Sequence, residues 1–87
     1  MKTKEMIIKK VEDCLKKGSY EEARKLCNEI LAQSPNDWYV WGRKGDSFLG
    51  QGMEEEAKQA YLKSKQILAE EGIELHVGDP GSYEIHI

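Results

Sequence analysis

The sequence predicts a mainly α protein, two helix–turn–helix repeats followed by a C-terminal β-hairpin. Three observations predict it. Apolar residues recur at spacings of three and four between residues 7 and 68, the mark of amphipathic helices. The chain also resembles itself at a shift of 34 residues: Gly52 echoes Gly18, Leu49 echoes Leu15, Lys44 echoes Lys10, and Glu55, Glu56 and Ala57 echo Glu21, Glu22 and Ala23. Self-similarity at a fixed period means that one supersecondary unit has been used twice. Residues 73–87 then change to strict alternation of apolar and polar side chains, the period of a strand.

The predicted units are repeat one over residues 4–37, repeat two over 38–71 and the hairpin over 73–87, all within one domain, 1–87. From Glu5 the first helix carries Ile7, Ile8, Val11, Cys14 and Leu15 on one stripe. Gly18 ends it, because glycine enters the left-handed conformation a helix end often needs. Ser19 is the expected N-cap of the second helix, with Glu21 and Glu22 in its first turn. Its buried stripe is Ala23, Leu26, Cys27, Ile30 and Leu31. The residue before Pro35 resists helical geometry, so that helix stops near Ser34. Asn36 or Asp37 caps the third helix, whose core positions are expected to be Trp38, Trp41, Gly45, Phe48 and Leu49.

Gly42 and Gly45 each cost roughly 1 kcal/mol against alanine inside a helix. Gly45 faces the expected partner helix, where close packing explains it; Gly42 faces the other way and has no such account. The Gly50–Gly52 stretch breaks the chain. A fourth helix then begins near Met53 or Glu54, carries Ala57, Ala60, Tyr61, Ser64, Ile67 and Leu68, and ends at Gly72.

Composition bounds the function. Eighty-seven residues make one small domain with a thin core. A net charge of −3 gives no overall basic field for nucleic acid. Lysines crowd the first helix and Glu54, Glu55 and Glu56 the last, and solvated helix faces account for both. RNA binding through the lysine-rich helix is a weak alternative whose mark would be salt-dependent affinity. No apolar run has the length of a signal core or a membrane span, so the expected setting is the cytoplasm without membrane contact. Cys14 and Cys27 fall on apolar stripes and are expected to be buried, reduced and structural. With no CxxC, no nucleophile–base spacing and no glycine-rich phosphate loop, neither a metal, a cofactor nor catalysis is expected.

In repeat two, Trp41, Gly45, Phe48, Ala57 and Tyr61 match, in order, the Trp, Gly, Tyr, Ala and Phe of the tetratricopeptide repeat. In repeat one, Ile7, Cys14, Ala23, Cys27 and Pro35 stand for its Trp, Tyr, Ala, Phe and Pro. The chain resembles that family over residues 4–71. It departs where the pattern's Leu is Lys10 and Lys44, where its Gly is Val11, and where its closing Pro is Ala69.

The resemblance implies right-handed superhelical stacking and a non-catalytic adaptor or scaffold. It also implies a concave groove, lined by the first helix of each repeat, that takes a peptide or a helix. Carried onto this sequence, the groove shows Glu5, Ile8, Lys9, Glu12 and Leu15 from repeat one. Tyr39, Gly42, Arg43, Asp46 and Leu49 come from repeat two. The spacing of these last five separately makes a second stripe, displaced from that of Trp41, Gly45 and Phe48. Some members of the family clamp a C-terminal carboxylate with Lys, Asn and Arg; Ile8 and Glu12 stand where that clamp needs Lys and Asn, so chaperone tails are not the expected ligand.

In the tail, folding about Pro80 pairs Val77 with Tyr83, Leu75 with Ile85 and Ile73 with Ile87 on one face. It sets His76 against Glu84 and Glu74 against His86 on the other. A disordered end is the alternative, and His–Glu pairing explains the histidines more cheaply than a metal. Because Tyr61, Ile67 and Leu68 are expected to have no following helix over them, the hairpin is expected to cover that end, in its own chain or in a homodimer. Self-assembly through the groove or the hairpin is thus the alternative to a protein or peptide partner.

Overall fold

The computed structural model describes residues 3–71. They form four helices: α1 (Lys4–Lys17), α2 (Tyr20–Gln33), α3 (Trp38–Gly50) and α4 (Glu54–Glu70). The stop signals work as their chemistry requires. Gly18 closes α1 at φ 81°, a left-handed backbone that suits glycine, and Gly52 makes the equivalent turn at φ 76°. Thr3 caps α1, its hydroxyl accepting from the Met6 amide at 3.2 Å. Asp37 caps α3 by accepting from the Val40 amide at 3.1 Å, and its second oxygen pairs with Lys4. Ser19 precedes α2, but its side chain makes no cap bond.

The architecture is an all-α, helical-repeat-like stack. α1 pairs with α2 and α3 with α4, while α3 also packs on α2 and touches α1. α4 touches α3 alone among the described helices. The core runs through repeat one and takes in Val40 from α3; Val11, Ala23, Leu26, Cys27 and Ile30 are its main members, with Ile7, Ile8, Leu15 and Trp41 packed on its margin. In repeat two, Ala57, Ala60 and Ile67 are buried. The Ser64 hydroxyl ties α4 to the start of α3 by donating to the Trp38 carbonyl at 2.8 Å.

Three expectations are corrected. The mainly α class with an added β-hairpin gives way to an all-α fold: there is no strand among the described residues, and the hairpin assigned to 73–87 lies outside them. Alternation settles which side chains share a face but supplies no packing partner, and a lone two-stranded hairpin is marginal in water. Ile67, expected to be uncovered, is only 1% exposed. The faces of α3 are corrected too. Val40 and Ser47 are buried, whereas Trp41 and Phe48 are half-buried and Leu49 is 51% exposed. α3 is the central helix and needs two inner faces, one for α4 and one for α2.

No described helix is long and apolar enough to cross a membrane. Both cysteines are buried and free. Burial pushes the Cys27 thiol up to about 11.

Candidate functional site

The contact of α1 with α3 brings the two predicted stripes together, and a shallow groove lies along them. From the predicted residues Lys9, Glu12, Leu15, Arg43 and Asp46 line it, joined by Met6, Lys10, Asp13 and Lys16. The groove therefore spreads further round α1 than the predicted stripe. Of the other predicted residues, Glu5 is exposed nearby and Ile8 turns inward onto the core margin. Leu49 lines a different trough, between α3 and α4. Met6, 58% exposed, was missed because it sits one position off the apolar stripe of α1.

Beneath the groove a chain of polar contacts crosses three helices. The Tyr39 hydroxyl of α3 donates to the Glu12 carboxylate of α1. Arg43, one turn on, lies 4.9 Å from the Tyr39 ring centre, and its Nη1 donates to the Tyr39 oxygen at 3.5 Å. Its Nη2 meets Asp46 Oδ2 at 2.8 Å. The other Asp46 oxygen accepts from the Tyr61 hydroxyl of α4. Glu12, Tyr39, Arg43, Asp46 and Tyr61 thus form one linked set. The Arg43 Nε is buried and finds no hydrogen-bond partner among the described residues.

The phenols bear the imprint of these contacts. The bond to Glu12, then burial, raises the Tyr39 phenol above its ordinary range. Burial, then the bond to Asp46, pushes Tyr61 up to about 12. A phenol facing a carboxylate keeps its proton, because that proton makes the bond and ionisation would set two negative charges together. Both tyrosines therefore act as neutral donors that occupy Glu12 and Asp46.

The close approach expected at Gly45 is present. A Cβ placed there would stand 2.6 Å from the Tyr61 ring, so only glycine lets that ring lie on α3 and its hydroxyl reach Asp46. At Gly42 an added Cβ would meet nothing within 4 Å.

On the opposite side of α3, Arg24 of α2 donates to Ser47 Oγ at 3.2 Å and lies 4.3 Å from the Phe48 ring centre. Ser47 donates in turn to the Lys44 carbonyl at 2.6 Å. The Lys44 ammonium sits 4.8 Å from the Trp41 ring centre, and burial lowers its pKa. Lys44 is half-buried, and long cationic side chains can cover apolar surface with their stems while the charged end stays near water. Trp41 donates its indole N–H to the Pro35 carbonyl at 2.8 Å.

Among the described residues no group of three or more His, Cys, Asp or Glu could hold a metal ion. Set against protein-family models, curated proteins and solved structures, the chain matches none of them.

Proposed function

We propose that the chain is a non-catalytic protein–protein interaction module, an adaptor or scaffold of tetratricopeptide type that takes a peptide or a helix in the groove between α1 and α3. The observation that carries this reading is the linked set from Glu12 to Tyr61. It crosses three helices and holds the groove floor in one arrangement before any ligand arrives, and preorganisation of that kind lowers the entropic cost of binding. The two free, buried thiols fit a reducing compartment such as the cytoplasm.

Charge supports a particular kind of ligand. Glu12 and Asp46 are occupied by the tyrosines, and Asp13 pairs with Lys17 at 3.0 Å. Lys9, Lys10 and Lys16 line the groove and make no ion pair among the described residues. Met6 and Leu15 add apolar surface between them. A segment with acidic residues on both sides of an apolar one matches this surface.

The test is a titration of the isotopically labelled chain, followed by NMR, with a panel of synthetic peptides of that design and the same panel with Lys in place of Asp and Glu. Acidic members are expected to shift the amides around Lys9, Glu12 and Arg43, and K9E/K16E to abolish the effect. Equal binding of both panels, or shifts confined to α2, would overturn the reading.

A further inference from the structure

The 34-residue period lets the molecule be compared with itself. On α2, the face made by Tyr20, Ala23, Arg24 and Cys27 carries α3. The Tyr20 ring lies against Gly50, Arg24 reaches Ser47 and Phe48, and Cys27 joins Val40 in one buried cluster. On α4 the equivalent residues are Glu54, Ala57, Lys58 and Tyr61; Ala57 is buried and the Tyr61 ring leans on Gly45 of α3, but no described helix other than α3 packs on α4. These four residues line a trough with Leu49, Leu62 and Lys65. Leu62 is 45% exposed, and it stands where α2 has the polar, exposed Asn28. Its apolar character is therefore not inherited from the repeat pattern. Together with Leu49 it makes an open apolar face of the kind that marks an interface.

We propose that this trough is the docking surface for a second copy of the chain, with α4 packed antiparallel on α4 about a two-fold axis. The inference does not rest on the groove reading. Charge and size on α4 argue for this occupant. An antiparallel pair centred between Gln59 and Ala60 sets Glu54 opposite the partner's Lys65, Ala57 opposite the partner's Leu62, and Lys58 opposite the partner's Tyr61. Opposite charges meet, the large residue meets the small one, and a cation meets an aromatic face. The axis makes every one of these pairings twice, as a self-complementary interface requires. Head-to-tail stacking, with α1 of one copy on α4 of the next, matches less well. The α1 residues equivalent to the docking face of α3 are Met6, Lys9, Lys10, Asp13 and Lys16, and their lysines would meet Lys58 and Lys65.

Sedimentation of the full chain over a concentration series decides the matter. The chain is expected to dimerise reversibly. E54K and K65E should each weaken the dimer roughly tenfold, since each places two like-charge contacts across the axis. E54K/K65E should restore it, and L62E should leave only monomer with its helical circular dichroism intact. A wild-type chain that is monomeric throughout would overturn the proposal. So would a dimer equally tight in E54K and K65E, which places the contact elsewhere. Loss of helix in monomeric L62E would also overturn it, because the face would then be covered within its own chain.

Discussion

α2 is packed against both α1 and α3, whereas α4, its equivalent one repeat later, touches only α3 among the described helices. α2 buries Ala23, Leu26, Cys27, Ile30 and Leu31; α4 buries Ala57, Ala60 and Ile67. The sequence has moved with the surroundings. Ile30 and Leu31 become Ser64 and Lys65, while exposed Gln33 becomes buried Ile67 in a helix that runs three residues longer, 17 against 14. The difference teaches that a position in a repeat is core or surface according to its neighbour, as expected where stability is the sum of a unit and its interfaces.

The largest effect should come from breaking the enclosed side. Leu26→Ala is expected to cost roughly 2–5 kcal/mol, the range for emptying a leucine site in a packed core. Leu62→Ala, measured by chemical denaturation at a concentration low enough to keep the chain monomeric, should stay within about 0.5 kcal/mol of the parent. Equal losses in the two variants would mean that α4 is as enclosed as α2.

Alkaline titration sharpens the same comparison, because Cys27 of α2 and Tyr61 of α4 are equivalent positions. The fold holds both neutral. Burial is the leading cause in each, with the bond to Asp46 adding to it at Tyr61. A folded value raised above the unfolded one contributes stability that is complete below the unfolded value and is lost as pH rises through the folded one. For Cys27 the window runs from 9.0 to about 11, and for Tyr61 from 10.0 to about 12. The melting temperature should therefore fall in two overlapping stages. Cys27→Ala should flatten the lower stage and Tyr61→Phe the upper. An unchanged alkaline slope in both variants would show that neither group is coupled to folding.

Much of this was legible in the sequence, and the rest was hidden for physical reasons. Gly18, Asp37 and the Gly50–Gly52 break set the helix ends, because each acts within a few residues of itself. That α1 and α3 share a groove was implied by the tetratricopeptide resemblance, and the two helices do touch. Val40 and Ser47 were not legible as core. The aromatic stripe of α3 marks only one of its two inner faces, and the burial of a serine depends on Arg24 of another helix. The groove floor was hidden for a similar reason. A list of groove residues treats Glu12 and Asp46 as available to a ligand, but Tyr39 and Tyr61 reach them from other helices. Tyr61 belongs to α4, outside the stripes from which the groove was drawn.

The smallest effects test how each repeat fills the gap between its own two helices. In repeat one the equivalent positions hold Val11 and Cys27, both within one cluster; in repeat two they hold Gly45 and Tyr61, with the ring laid on the glycine. The bulk has moved from one helix to the other. Gly45→Val alone should then cost roughly 1–3 kcal/mol, because its side chain enters space the Tyr61 ring occupies. Adding Tyr61→Cys rebuilds the arrangement of repeat one, and the two changes should couple favourably by roughly 0.5–3 kcal/mol in a double-mutant cycle. Strict additivity would show that the two repeats do not share one packing scheme. Gly42, on the same helix, is the control. A Cβ there meets nothing within 4 Å and Gly42 is not among the glycines of positive φ, so Gly42→Ala should gain up to about 1 kcal/mol from helix propensity alone. A loss at Gly42 would mean that its open space is needed by the folded chain, and the contrast between the two glycines would fail.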